Sequence, residues 1–308
     1  MLLLRIAQKQ AVTKRISAFT LVAAEGDPLP DHSAGAHIEV QTAAGPRAYS
    51  LIDWPERQPG AWQIAVQRED EGDGGSRAMH ALSEGDTITA TAPKNDFELH
   101  PGDKPVALLA GGIGVTPLIS MATELAASGR VFTFHHAGRS AGDMAYVDRL
   151  AAAFGDRYHP HYDDTAPLDL STLMAGLTDH ALYICGPKGM IDAARAAAEA
   201  AGIADIHVEL FTNAAPSAGE SAFEIEIASS GQIITVAPDQ TIIEALEAAG
   251  LDPLYDCQRG DCGICQTEVI AGTPDHRDVV LSQAERDSGK VMQICVSRAL
   301  SARLVLDL

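Results

Sequence analysis

Apolar residues recur along the chain with changing periods, and the changes divide it. From residue 1 to about 100, short apolar and β-branched segments alternate with Gly, Pro and Asp turns, at 16–24, 36–42, 48–52, 62–68 and 87–92. Many short strands with frequent turn signals predict an antiparallel sandwich or barrel. From about 100 to 212 the pattern becomes apolar strands alternating with Ala-rich helices. Strands are predicted at 106–110, 131–135, 157–161, 181–185 and 206–211, and helices at 116–128, 144–154 and 190–201. That alternation implies a parallel sheet covered by helices on both faces. Residues 213–220, rich in Ala, Pro, Ser and Gly, have no period and read as a linker. Beyond them come strands at 223–227, 232–236, 266–270 and 303–306 and a helix at 241–249.

One stretch obeys neither period. Tyr255 to Gln266 reads Y-D-C-Q-R-G-D-C-G-I-C-Q and holds Cys257, Cys262 and Cys265, with Cys295 following after a long gap. C-x4-C-x2-C with a distant fourth cysteine is the plant-type spacing for a [2Fe-2S] cluster. Gly260 and Gly263 suit a loop that wraps tightly and brings backbone N–H groups towards the sulfurs. A zinc site would draw its cysteines in two matched C-x2-C pairs, and the second pair is missing. A disulfide framework belongs to short secreted chains, whereas this chain has 308 residues and five cysteines. Two ferric ions, two sulfides and four thiolates sum to a charge of about −2, so the site is a one-electron store.

Charge changes the picture of partners. With 22 basic and 42 acidic residues the chain carries −20, which argues against nucleic acid or an anionic membrane. Residues 222–308 contain 14 acidic and 6 basic side chains, and an acidic face beside a redox centre would steer a basic electron-accepting protein. There is no run of eighteen apolar residues, and the leucines at the start are too few for a signal segment. A cytoplasmic, reducing location is the expectation.

Other motifs are weaker singly. Arg47-Ala-Tyr-Ser50 on a strand reads as packing as readily as a binding site. Gly74-Gly-Ser76 reads as an ordinary helix cap or as a phosphate cradle. Gly111-Gly-Ile-Gly-Val-Thr-Pro117 and Cys185-Gly-Pro187 stand where strands of a parallel sheet end and ligands bind. The first of these is not the six-residue G-x-G-x-x-G fingerprint.

In this order, with Pro93-Lys-Asn-Asp-Phe97, Glu209-Leu-Phe211, Asp275-His-Arg-Asp278 and Cys295-Val-Ser-Arg-Ala299, the motifs resemble phthalate dioxygenase reductase and the vanillate demethylase reductases over essentially the whole chain. These are flavin reductases of Rieske-type oxygenases. The resemblance implies a multidomain protein: an antiparallel FMN-binding β-barrel (1–100), an α/β parallel-sheet NAD domain (101–212), a linker (213–221) and an α+β plant-type ferredoxin domain of β-grasp form (222–308). It further implies that Arg47, Tyr49 and Ser50 line the isoalloxazine, with Ser50 at N5, and that Gly74, Gly75 and Ser76 hold the flavin phosphate. Gly111, Gly112, Gly114, Thr116, Cys185, Gly186 and Pro187 would surround NADH, and Phe211 would stack on the flavin until nicotinamide displaces it. Ser50, Cys185 and Phe211 would therefore act at the reacting atoms, and the four cysteines would bind the metal.

The stretch His136-Ala-Gly-Arg-Ser140 lacks an acidic residue for the adenosine ribose, and Arg139 could meet a 2′-phosphate, so NADPH is the alternative donor. NADH delivers two electrons as hydride and the cluster accepts one, so a flavin must lie between them. The expected acceptor is a separate terminal oxygenase, with a cytochrome P450 or a free ferredoxin as alternatives.

Overall fold

The computed structural model of the chain describes every residue except Asp27, residues 57–58 and residues 212–220. The expected linker therefore lies outside the described residues, Ser221 excepted. Two compact units are present, Met1–His207 and Val208–Leu308.

The first unit begins with β1 (Leu2–Ala11), a strand the sequence reading had not placed. Leu4 and Ile6 point into the core while Leu3 is 47% exposed, the alternation of a strand with one wet face. β2 (Ile16–Ala23), β3 (His37–Thr42), β4 (Gly45–Ser50), β5 (Ala61–Gln67), α1 (Gly75–Ala81) and β6 (Thr87–Ala90) follow. The strands form an antiparallel sheet ordered β4-β3-β6-β1-β2-β5. Just past β4, Ile52 N–H donates to Gln63 O of β5 at 2.8 Å, which curls the sheet nearly closed. Phe19, Ile38, Leu51, Trp62 and Met79 fill the inside.

The same unit continues through β7 (Val106–Gly111), α2 (Val115–Ser128), β8 (Phe132–Gly138), α3 (Val147–Phe154), β9 (Tyr158–Tyr162), α4 (Leu170–Ala175), β10 (Ala181–Cys185), α5 (Lys188–Ala200) and the first half of β11 (Ile206–Glu209), a strand in which the division between the units falls. The sheet order is β11-β10-β7-β8-β9, with β10, β7, β8 and β9 parallel. β7 is buried throughout, which is why its sequence is unbroken Val-Ala-Leu-Leu-Ala-Gly. α2 is buried on most sides because it is also bonded to the barrel. Ser120 Oγ donates to Leu51 O and accepts from Asp53 N–H, both at 2.8 Å, and Thr123 Oγ1 donates to Asp53 O at 2.8 Å. Ile52, Trp54 and Phe97 thus share one core with Leu118, Ile119 and Met121.

In the second unit, β12 (Phe223–Ile227), β13 (Ile233–Val236), α6 (Ile242–Ala248), β14 (Gln266–Ala271), β15 (Pro274–Asp275), α7 (Gln283–Ser288), β16 (Val291–Gln293), β17 (Arg298–Ala299) and β18 (Arg303–Leu306) appear in turn. The main sheet runs β13-β12-β18-β14-β16, with β12 and β18 parallel and the other pairs antiparallel. α6 opens on a capping box of Thr241 and Glu244 and buries Ile242, Ile243 and Leu246. A mixed sheet with one packed helix is the β-grasp arrangement expected of a plant-type ferredoxin.

Candidate redox sites

Cys257, Cys262, Cys265 and Cys295 converge in the second unit. All are free thiols. Cys257 hydrogen-bonds with Cys262 and Cys295, and Cys265 with Cys295. Among the described residues no three His, Cys, Asp or Glu side chains are arranged as ligands of a single ion; these thiols meet in pairs. The contacts push Cys257 and Cys265 below the ordinary thiol range and Cys262 and Cys295 above it, because each low thiol accepts what a high one donates. Arg259 N–H also donates to Cys257 Sγ at 3.3 Å.

The loop achieves this by turning sharply at Gln258 and Gly260, with φ of 52° and 80°. A Cβ at Gly260 would stand 2.6 Å from Val296 Cγ2 and 3.0 Å from Asp278 Cα, so only glycine fits. Gly260 O in turn accepts Val279 N–H at 2.9 Å. Asp278 is fully buried and accepts Leu281 N–H at 2.8 Å, so the segment after Asp275 braces the loop from outside. Four thiols joined by successive contacts, Cys262 to Cys257 to Cys295 to Cys265, with a backbone donor on one sulfur, fit a thiolate-bound cluster.

On the barrel, Arg47 and Tyr49 share one face of β4 and Ser50 ends the strand. Ser50 is 4% exposed, and its Oγ has no hydrogen-bond partner among the described residues. A buried hydroxyl without a partner costs roughly 1–3 kcal/mol, so this one fits a site completed by a ligand. Burial pushes the Tyr49 phenol up to about 12, and neighbouring Arg47 opposes that rise. The Arg47 side chain lies over Gly75, where a Cβ would come within 2.6 Å of its Cγ. α1 is capped by Gly74 rather than by Ser76, whose hydroxyl instead accepts Glu69 N–H at 3.0 Å. The motif's arginine and glycines are thus together, while the serine also fastens the acidic loop before it.

The two glycine loops of the parallel sheet meet backbone to backbone. A Cβ on Gly114 would fall 2.2 Å from Cys185 O, and one on Gly186 would fall 2.9 Å from Gly111 Cα. These glycines are required by each other, not directly by a ligand. Gly112 differs: its φ is 54° and a Cβ there would meet nothing within 4 Å, which leaves space for a phosphate to approach. Gly114→Ala should therefore cost about 3 kcal/mol of stability through overpacking against backbone, and Gly112→Ala only about 1 kcal/mol through its φ. Thermal or urea unfolding of both variants measures this, and equal losses would contradict the assignment. Thr116 is buried and donates to Ile113 O at 3.1 Å, closing the turn, and Cys185 is fully buried.

His136 is the residue the sequence did not single out here. Its Nε2 lies 3.0 Å from Gly112 O and its Nδ1 3.0 Å from the Tyr158 hydroxyl. Burial holds its pKa down at about 4, so the ring is neutral; Nε2–H donates to the carbonyl and Tyr158 O–H donates to Nδ1. A strand residue thereby fixes the loop, a link no local pattern announces. A second such pair is Asp163 and Asp164, exposed at the end of β9, whose N–H groups donate to Gly138 O at 3.0 Å and Arg139 O at 3.3 Å.

A one-electron thiolate site on the same chain as a ligand-receptive barrel and a dinucleotide-type sheet defines the class: an oxidoreductase that takes electrons from a pyridine nucleotide and delivers them singly. Residues 225–300 match the 2Fe-2S iron-sulfur cluster binding domain family. The chain is 41% identical over 295 residues to phenoxybenzoate dioxygenase subunit beta of Ectopseudomonas oleovorans, covering 94% of this chain and 92% of that protein. It is 39% identical over 317 residues to vanillate O-demethylase oxidoreductase of Pseudomonas sp. (strain HR199 / DSM 7063), covering 98% of each. Among solved structures, phthalate dioxygenase reductase matches at 34% identity and a TM-score of 0.69 over 100% of this chain and 98% of that one. CYP116B46 from Tepidiphilus thermophilus matches at 34% identity and a TM-score of 0.80 over 99% of this chain, which spans only 42% of that longer one.

The chain belongs to the family of flavin- and [2Fe-2S]-dependent reductase components of oxygenase systems. Among the described residues no helix is long and apolar enough to cross a membrane.

Proposed function

We propose that this reductase passes electrons from NADH through FMN to its [2Fe-2S] cluster and then singly to a separate Rieske-type terminal oxygenase. The observation that carries this is the four-thiol site on a chain matched over nearly its full length by reductases of oxygenase systems. Domain limits of 1–100, 101–212 and 222–308, joined by a linker at 213–221, belong to the same proposal. So does the cytoplasm as its place, with neither nucleic acid nor a membrane as partner.

In this reading Arg47, Tyr49 and Ser50 orient the flavin ring, and Ser50 Oγ–H donates to N5, the hydride acceptor. Gly74, Gly75 and Ser76 offer first-turn N–H groups to a single phosphate beside Arg47, which suits FMN. When bound, the flavin supplies the change from two-electron to one-electron transfer. Gly111, Gly112, Gly114 and Thr116 with Cys185, Gly186 and Pro187 hold the dinucleotide, Gly112 by open approach and Gly114 and Gly186 by keeping the loops together. Cys185 and Phe211 flank the nicotinamide position, and Cys257, Cys262, Cys265 and Cys295 ligate iron.

Asp163 and Asp164 favour NADH over NADPH. Their backbone N–H groups hold them against Gly138 and Arg139, where carboxylates would accept from a ribose 2′-OH and repel a 2′-phosphate. We expect kcat/KM for NADH to exceed that for NADPH by at least ~10-fold, about 1.4 kcal/mol. Asp164→Asn should narrow the ratio, and equal or reversed values in the parent protein would assign Arg139 to a phosphate.

A cytochrome P450 is the second reading of the acceptor, favoured by the likeness, at 37% identity over 100% of this chain and 41% of that longer one, to a self-sufficient cytochrome P450 monooxygenase. Following reoxidation of the NADH-reduced protein by a purified Rieske oxygenase, a P450 and a ferredoxin separates the readings. Reoxidation by the P450 or ferredoxin alone rejects the first.

A further inference from the structure

Within the first unit, three imidazoles crowd together on one face of the parallel sheet. His135 of β8 and His159 and His161 of β9 point away from the buried Phe134 and His136, because alternate residues of a strand take opposite faces. The register sets His135 opposite His159 and Ala137 opposite His161. His135 stacks on His159 with ring centroids 4.8 Å apart and on His161 with centroids 5.3 Å apart. His135 Nδ1 lies 3.0 Å from His161 Nε2, and His135 Nε2 lies 3.0 Å from Thr133 Oγ1. His135 and His161 are half-buried and His159 is exposed, so the group is open to solvent. Burial, and then the neighbouring imidazoles, hold His135 down at about 3 and lower His161 as well. At neutral pH these rings are therefore uncharged and keep lone pairs for a ligand. None of the three has a part in the sites described above.

We propose that His135 Nδ1 and His161 Nε2 form a chelating site for a divalent transition-metal ion such as Ni²⁺ or Cu²⁺, with Thr133 as the residue that positions His135. Two nitrogens 3.0 Å apart, each about 2.1 Å from an ion, subtend roughly 90° at it. That is the cis angle of the tetragonal geometry these two ions prefer, whereas tetrahedral zinc spreads its ligands to about 3.4 Å. The proton positions agree with this use. When His135 Nε2–H donates to Thr133 Oγ1, Nδ1 is left with its lone pair, and an oxygen on the far nitrogen is what orients a metal-bound imidazole. His161 needs only to carry its proton on Nδ1, so an ion enters between the two neutral rings without expelling a proton. Among the described residues no third His, Cys, Asp or Glu side chain completes the set, so water fills the remaining positions.

The test uses the untagged full-length holoprotein and titrates it with Ni²⁺ by calorimetry and equilibrium dialysis, with cluster absorption followed so that displaced iron is not mistaken for binding. The parent should take up one Ni²⁺ per chain at this site. Thr133→Val removes only the oxygen that orients His135 and should weaken that binding about 10-fold. His135→Gln and His161→Gln each remove a ligand and should weaken it by at least ~100-fold, while His159→Gln should leave it within about 3-fold of the parent. NADH-driven ferricyanide reduction without added metal should match the parent in all four variants, which reports that they fold. Cu²⁺ gives a reading that needs no variant. In the oxidised parent, where neither flavin nor cluster is paramagnetic, the Cu²⁺ resonance should show coupling to two nitrogens. A parent that binds no Ni²⁺, equal affinity in His135→Gln and His161→Gln, or a Cu²⁺ signal without nitrogen coupling would each overturn the site.

Discussion

A Cys262→Ser variant is expected to bind flavin and to reduce ferricyanide with NADH, yet to transfer electrons to its oxygenase, or to cytochrome c as surrogate, at near background rates. Cys262 contacts Cys257, so under the proposed ligand set its loss leaves three soft ligands for a cluster that requires four. The barrel and the parallel sheet lie in the other compact unit, with cores of their own, so nucleotide oxidation should continue there. What disappears is the one-electron site from which a protein acceptor draws. Iron content, visible absorption and the paramagnetic signal of the reduced state report the cluster, and the two acceptor assays report the path. Full iron content with an unchanged spectrum would overturn the ligand assignment. Parent-like transfer to the oxygenase from a protein that lacks the cluster would mean that the flavin donates directly.

How much of this was legible depended on whether the signal was local. The cysteine spacing was, because three ligands come from one turn of chain whose glycines can be read in sequence. The parallel sheet was too, because β7 and β10 are buried strands and read as unbroken apolar runs. β1 escaped because Leu2-Leu-Leu4 puts apolar residues on both faces and blurs the alternation, although only one face is core. α4 and α7, each six residues long, are too short to display a helical period. Their signals lay in their caps instead, Asp169 over Ser171 and Thr172, and Ser282 paired with Glu285. The motif glycines were visible, but whether each faces a ligand or another loop was not. That Gly114 abuts Cys185, and that His136 and the Asp261 carboxylate act on distant backbone, follow from long-range packing alone.

Ser50→Ala should slow NADH-driven flavin reduction by roughly 10- to 1000-fold, the range spanned by single positioned polar groups in catalysis. The argument starts from what the hydroxyl lacks. It is buried at the end of β4, has no hydrogen-bond partner among the described residues, and bears the burial cost in readiness for a ligand. Its backbone neighbours leave it little freedom. Leu51 N–H donates to Ala36 O at 2.8 Å, Leu51 O accepts Ser120 Oγ–H and Asp53 N–H donates to the same hydroxyl, both at 2.8 Å. α2, which begins at the glycine loop proposed to hold the nucleotide, is thus bonded to the segment directly after Ser50. The proposed donor and acceptor sites share this hydrogen-bonded connection, so in the proposed role the hydroxyl is already oriented towards N5 when hydride arrives. Alanine removes that donor while sparing the bonds that hold the strand, so flavin content, folding and cluster assembly should match the parent. The unfilled hydroxyl is also a cost in the flavin-free protein, so Ser50→Ala should leave apoprotein stability unchanged or raise it by about 1 kcal/mol. Stopped-flow reduction with NADH measures the first effect and thermal unfolding of flavin-depleted protein the second. A parent-like reduction rate would remove Ser50 from the reacting centre, whatever the stability shows.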